Sequence, residues 1–124
     1  MTQPAGAGRP GETPSIGPGR SRYDHRMYTG TLSFDLLLGD VHSLKQKRSV
    51  VRPIVAELQR TYAVSVAEVG AQDLHRRTEI GLALVSGDAG HLTEILDRCE
   101  RWVAARPEVE LLSVRRRIHG EHDE

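Results

Sequence analysis

Hydrophobic and polar residues alternate along two segments of the chain in a way that predicts β-strands. Leucine or phenylalanine occupies every second position from Leu32 to Leu38, and the same alternation recurs from Thr78 to Leu84. Because successive side chains of a strand point to opposite faces, a period of two predicts a strand with one buried face. We predict strands at 31–38 and 78–85. The β-branched segment 64–69 is a third predicted strand and 109–118 a fourth.

Apolar residues at helical spacing predict a helix after the first strand, over about residues 44–62. Ser43 is suited to cap its N-terminus, and Gln46 three residues later completes a capping-box pattern. Pro53 is the awkward residue, because proline in a helix interior removes a hydrogen bond and costs about 3 kcal/mol. Either the helix kinks there, or a first turn ends near Val51 and the main helix begins around Pro53.

A second apolar stripe predicts another helix between the third and fourth strands. It runs from Leu92 to Val103 and includes Cys99 and Trp102, which we interpret as core residues. Gly87 and Asp88 end the preceding strand, and Asp88 is suited to cap the helix.

The predicted order of elements is β-α-β-β-α-β. Two β-α-β units with right-handed crossovers predict an α+β, ferredoxin-like sandwich, in which a four-stranded antiparallel sheet carries both helices on one face. We expect the first and third strands in the centre and the second and fourth at the edges. The domain spans residues 27–118, and residues 119–124 form a polar C-terminal tail.

The first 26 residues differ in composition from the rest. Glycine and proline are frequent there, and a segment with so little apolar surface is expected to be disordered. It is either a basic arm that contacts RNA or an extension without a role; in the second case either Met27 is the true start or the tail is a dispensable extra. Four arginines against Glu12 and Asp24 give this tail a net charge of +2, so the remainder of the neutral chain carries −2. A mildly acidic domain is not a general binder of polyanions, and any anion site on it must be a local patch.

The topology brings two connections to one end of the domain: the loop between the first strand and the first helix, and the turn between the second and third strands. Lys45, Arg48 and Arg52 share one face of the first helix, near an N-terminus whose free N–H groups favour anions. This end is therefore a candidate phosphate site; the plainer interpretation is a solvated face that Asp40 and Asp73 partly neutralise. The candidate binding residues are His42, Ser43, Lys45, Lys47, Arg48, Arg52, Gln72, Asp73, His75, Arg76 and Arg77.

Three segments together carry a family resemblance: 42–48 (HSLKQKR), 64–70 (VSVAEVG) and 72–74 (QDL). In these segments the chain resembles the YlxP-like family of small bacterial proteins, over about residues 27–118. The resemblance implies a ferredoxin-like fold and no established activity. In many bacteria, genes for such proteins lie near those for transcription elongation, translation initiation and ribosome maturation factors, which suggests a role around RNA or ribosomes. The tail before Met27 and the proline at position 53 depart from the family pattern.

The leading functional hypothesis is a non-catalytic binding module for RNA or ribosomal particles, which uses the basic end. The first alternative is a dimeric protein-interaction or regulatory domain. The sheet face away from the helices carries small residues and no aromatic platform for bases, which suits sheet-on-sheet packing or an ordinary solvated surface. The small or polar residues predicted on it are Ser33, Asp35, Ser65, Ala67, Gly81 and Ala83.

The second alternative is an enzyme of unrecognised type. No phosphate-binding loop or nucleophile elbow is present. Glu68 near Asp73 and His75 is a possible acid–base group, although the plainer interpretation is that Glu68 pairs with a basic neighbour. The side chains of His42 and His75, near Asp40 and Asp73, are of types that hold divalent metals. No ligand spacing in the sequence supports such a site, so we predict no metal and no other cofactor.

The location follows from composition. One cysteine cannot form a disulfide framework, and no segment is long and apolar enough for a membrane span or a signal peptide. We therefore expect a cytoplasmic protein without a membrane partner.

Overall fold

The structure, a computed structural model, describes residues 26–120. Six elements follow one another along the chain: β1 (Tyr28–Leu38), α1 (Leu44–Tyr62), β2 (Ser65–Gly70), β3 (Arg77–Ser86), α2 (Ala89–Ala104) and β4 (Val109–Gly120). This order confirms the predicted ferredoxin-like α+β fold. The predicted disordered tail lies outside the described residues except for Arg26, which belongs to no helix or strand, and residues 121–124 also lie outside them.

The four strands form one sheet in the order β2-β3-β1-β4, and every neighbouring pair is antiparallel. The predicted central and edge positions are therefore confirmed. Leu32 pairs with Leu82 and Phe34 with Ile80 across the two central strands, and all four side chains are buried in one core. The buried residues of both helices belong to the same core, so both helices cover one face of the sheet.

Helix α1 is continuous from Leu44 to Tyr62, with Pro53 inside it. Of the two alternatives for this helix, a first turn that ends near Val51 is therefore wrong. Val51 and Ile54 are both buried on either side of the proline, while Pro53 is exposed. Burial contributes about 1.5–3 kcal/mol for each such aliphatic side chain, enough together to offset the roughly 3 kcal/mol cost of an interior proline.

Strands β1 and β4 are both longer than the patterns predict. Strand β1 begins at Tyr28 rather than Thr31, and β4 continues past Ile118 to Gly120. The two extensions support each other, because Tyr28 pairs with Gly120 and Thr29 with His119. His119 and Gly120 thus belong to the sheet and not to a polar tail.

Helix α2 begins and packs as predicted. The side chain of Asp88 accepts hydrogen bonds from the backbone N–H groups of Gly90 and His91, which caps the helix. Cys99 is fully buried, and Trp102 is partly buried against the core. Neither helix in residues 26–120 is both long and apolar enough to cross a bilayer.

Candidate functional site

The loop before α1 is fixed by a reciprocal cap. The Oγ atom of Ser43 accepts a hydrogen bond from the backbone N–H of Gln46 at 3.1 Å, and Oε1 of Gln46 accepts one from the backbone N–H of His42 at 2.6 Å. The predicted capping by Ser43 is confirmed, while Gln46 bonds the N–H of His42 in place of the N-cap N–H that a capping box uses. The first turn of α1 holds no acidic side chain, so nothing within the helix itself neutralises the positive end of its dipole.

The two connections meet at one end of the domain, as the topology predicts. The backbone N–H of Leu38 donates to the carbonyl oxygen of Arg76 at 2.8 Å. The Nε atom of Arg76 in turn donates to the carbonyl oxygens of Leu38 and Gly39, at 3.2 and 2.8 Å. Arg76 thus ties the start of β3 to the loop after β1, and its contacts are structural.

Lys47 is buried at this end instead of exposed to solvent. Its side chain is 3% exposed, and its Nζ atom lies 2.9 Å from Oε2 of Glu68. The same ammonium donates to the carbonyl oxygens of Ala71 at 2.7 Å and Leu74 at 2.8 Å. Its charge and donors are therefore used inside the protein, and Lys47 is not part of the cationic surface, contrary to our inclusion of it there.

The interpretation of Glu68 as the partner of a basic neighbour agrees with this geometry. Besides Lys47, its Oε2 atom accepts a hydrogen bond from Oγ1 of Thr78 at 2.7 Å. Asp73 and His75, the other members of the suggested acid–base group, are exposed and make no side-chain hydrogen bond or ion pair within residues 26–120. The three side chains do not form a connected catalytic group.

Arg77 begins β3 at the candidate end, but its side chain lies on the sheet face away from the helices. Its guanidinium contacts both carboxylate oxygens of Asp35, at 2.6 and 2.8 Å. The hydrogen bond to Asp35 and the charge of that carboxylate raise the pKa of Arg77. This bidentate pair holds Arg77 away from any ligand at the end of α1.

Polar side chains from three strands meet on the same open face. Glu79 accepts a hydrogen bond from Oγ of Ser33 at 2.6 Å and lies 3.1 Å from the guanidinium of Arg115. The predicted small residues are here, with Ser65 opposite Ala83 and Ala67 opposite Gly81. Glu79 and Arg115 were missing from the predicted face, although alternation along β3 and β4 places them there.

Three cations of α1 remain exposed and form what we call the α1 cationic row: Lys45, Arg48 and Arg52. None of them makes an ion pair or a side-chain hydrogen bond with another residue in the described part of the chain. His42 differs, because its Nε2 atom lies 2.6 Å from Oδ1 of Asp40. Of the predicted basic patch, the α1 cationic row is the part that is free to bind an anion.

A groove runs beside this row, between α1 and the edge strand β2. Its volume is about 460 Å³. Leu44, Val51 and Val55 give it an apolar floor, and Arg48 and Arg52 line it from the helix. We call it the α1–β2 groove; no sequence pattern predicted it, because its width depends on how far the helix lies from the strand.

Two glutamines close the outer side of β2 within this groove. The Nε2 atom of Gln59 donates to the carbonyl oxygen of Val66 at 3.4 Å, and that of Gln72 donates to the carbonyl oxygen of Glu68 at 3.1 Å. Gln72, a predicted binding residue, thus reaches the groove from the β2–β3 turn.

The described residues hold no group of three or more histidine, cysteine, aspartate or glutamate side chains placed to bind a metal ion. His42 and Asp40 are in contact, but the pair gains no third ligand there.

Comparison with known proteins identifies the family. Residues 29–116 match the family described as "Protein of unknown function (DUF503)". Over 81 residues the chain is 33% identical to a Bacillus subtilis (strain 168) protein named "Uncharacterized protein YlxP", and the match covers 65% of this chain and 88% of that protein. The chain belongs to the DUF503 family, which confirms the YlxP-like resemblance. Neither description names an activity.

Proposed function

We propose that this DUF503 protein is a non-catalytic binding module for RNA, alone or in ribosomal particles, and that it binds phosphates through the α1 cationic row. The observation that carries the proposal is that Lys45, Arg48 and Arg52 lie exposed together on one face of α1, with no ion-pair partner among the described residues. Such side chains are free to neutralise backbone phosphates, the main source of affinity for nucleic acids.

The position of the row on its helix adds to this argument. Lys45 lies in the first turn of α1, where uncompensated N–H groups already favour anions and repel cations. A bound phosphate would relieve that repulsion and use both the side chains and the helix end. The proposal places the protein in the cytoplasm, where RNA and ribosomes are found and where the buried free thiol of Cys99 stays reduced.

Charge reversal with a matched control tests the proposal. Arg48→Glu/Arg52→Glu removes two cations of the row, and Arg101→Glu/Arg117→Glu makes the same change in net charge elsewhere. Arg101 and Arg117 are also exposed and also make no side-chain ion pair within the described residues. Binding of a fluorescein-labelled RNA is measured by anisotropy over a series of salt concentrations, with co-sedimentation of ribosomal particles in parallel.

We expect the first variant to bind RNA more weakly, while the control retains most of its affinity. Since each phosphate contact with a single strand contributes about 0.7 to the slope of log affinity against log salt, the slope should fall by about 1.4. Equal binding by both variants and the unaltered protein would contradict the proposal. A loss confined to the control would contradict the proposal and assign RNA to the surface around Arg101 on α2 or Arg117 on β4.

A homodimer through the open sheet face is the second candidate function. Val69 and Val85 are 56% and 64% exposed there, beside the small side chains of Ala67 and Ala83. A flat face with exposed valines, on which Arg77 pairs with Asp35 and Arg115 with Glu79, suits packing against a second copy. Light scattering tests it: a dimer that Ala83→Arg converts to a monomer supports this candidate, and a monomer at high concentration contradicts it.

A further inference from the structure

The free charge of the α1–β2 groove is positive. Of the described residues that line it, Glu68 is the one carboxylate, and its charge is neutralised by Lys47 at 2.9 Å. Arg48 and Arg52 line the same groove without ion-pair partners in the described chain. An occupant with a negative charge is therefore favoured at its rim.

The backbone of β2 is poorly available to an added peptide strand. A peptide that extends a sheet needs the outward carbonyl groups of the edge strand. Those of Val66 and Glu68, two residues apart on the same side of β2, already accept hydrogen bonds from Gln59 and Gln72. This argues against an extended acidic peptide as the occupant.

Size and lining favour a small, partly apolar and anionic group. A volume of about 460 Å³ lies within the range of pockets that take small molecules, roughly 300–1,000 Å³. The apolar floor of Val51 and Val55 offers a surface to a flat ring, and an arginine guanidinium is itself a plane on which bases stack.

We infer that the α1–β2 groove receives one unpaired nucleotide, with its base against the apolar floor and its phosphate on Arg48 and Arg52. This inference rests on the proposed function and adds a preference for single-stranded RNA. The bases of an RNA duplex are stacked and paired, and a base cannot enter a groove of this kind unless it leaves the double helix.

A variant that fills the groove and keeps its charges tests the inference separately. Ala56 lines the groove on α1, so Ala56→Phe places a ring in it while Arg48 and Arg52 stay unchanged. Ala104→Phe, at the end of α2 and outside the groove, is the matched control. The probes are a labelled single-stranded RNA of about 12 nucleotides, the same RNA annealed to its complement, and inorganic polyphosphate as competitor.

The unaltered protein should bind the single strand more tightly than the duplex. Ala56→Phe should weaken single-strand binding at least about fivefold, the size of a lost stacking contact, with little effect on the duplex. Ala104→Phe should change neither. If circular dichroism shows that Ala56→Phe does not fold, Ala56→Leu provides the same test with a smaller side chain.

The outcomes separate the two proposals. If Arg48→Glu/Arg52→Glu weakens RNA binding but the single strand and duplex bind equally, or Ala56→Phe keeps full single-strand affinity, the groove inference is wrong and the proposed function stands. If polyphosphate displaces the RNA completely and the protein shows no preference for the single strand, the groove inference is likewise wrong and the proposed function stands. If the charge reversal has no effect either, both proposals fail.

Discussion

Lys47 and Glu68 form an ion pair between α1 and β2 in which Nζ and Oε2 are 2.9 Å apart and the lysine side chain is 3% exposed. The same ammonium holds carbonyl groups of the β2–β3 turn. One side chain thus connects the helix, the edge strand and the turn. Lys47 also neutralises the carboxylate of Glu68, which would otherwise repel an anion in the α1–β2 groove. The ion pair therefore stabilises the fold and leaves the groove with a net positive charge.

Lys47→Ala should lower the free energy of unfolding by about 3 kcal/mol. Removal of one partner leaves the other charge uncompensated, at a cost of roughly 3–5 kcal/mol for a buried pair. The lower end applies because Glu68 is 26% exposed and water can reach it. Urea denaturation measures the change. Lys45→Ala, two residues away and exposed, is the control and should stay within about 0.5 kcal/mol of the unaltered protein; equal losses in both would contradict the assignment.

Gly30→Ala should destabilise the fold although it adds only a methyl group. A Cβ atom at position 30 would lie 2.9 Å from Cδ1 of Leu96 and 3.2 Å from Leu92, both fully buried. Overpacking of this kind costs about 1–3 kcal/mol. Gly39→Ala is the matched control, because a Cβ there meets nothing within 4 Å. Thermal unfolding compares the two, and a similar melting temperature for both variants would show that α2 does not approach β1 so closely.

Gly30 also explains why the hydrophobic pattern predicts most of the fold correctly but places the start of β1 too late, at Thr31 instead of Tyr28. The alternation of Leu32, Phe34 and Leu36 is visible in the sequence, and the core confirms it. The preceding position on the same buried face is Gly30, two residues before Leu32. Because glycine has no apolar side chain, the hydrophobic pattern stops there although the strand continues back to Tyr28. The extension of β4 to Gly120 depends on pairing with that hidden part of β1, which no local pattern shows.

The candidate site was less predictable for a different reason. Lys47 was grouped with the surface cations because of its charge, yet it shares a helical face with Val51, Ile54 and Leu58, all buried. That spacing indicated burial, and the alternation along β3 likewise indicated the open face for Arg77. The pairing of Lys47 with Glu68 and the width of the α1–β2 groove depend on how the helix packs against the sheet, which no sequence pattern specifies.

Pro53→Ala should stabilise the protein by about 2 kcal/mol. Alanine restores a backbone N–H in the middle of α1 and avoids the roughly 3 kcal/mol cost of an interior proline. The greater freedom of the unfolded alanine chain offsets about 0.4–1 kcal/mol of that gain. Urea denaturation at constant pH measures the difference. A loss of stability would mean that the proline ring itself contributes to packing beside Val51 and Ile54.

Cys99 should make stability depend on pH in alkaline solution. Burial raises the pKa of its thiol to about 11. The unfolded chain, with an ordinary thiol pKa of about 8.5, therefore loses its proton first as pH rises, and the free energy of unfolding falls through this window by up to about 1.4 kcal/mol per pH unit. Well below pH 8.5 the thiol is protonated in both states and contributes no slope.

Comparison with Cys99→Ala isolates this effect from other groups that titrate at high pH. The variant should be less stable at neutral pH because it leaves a small cavity beside fully buried neighbours such as Leu96. Between about pH 8.5 and 11 its stability should fall less steeply than that of the unaltered protein. Parallel curves would show that the thiol has the same pKa in both states. Labelling with a thiol reagent checks the burial of Cys99. The folded chain should react far more slowly than the chain in denaturing urea, because Cys99 is fully buried.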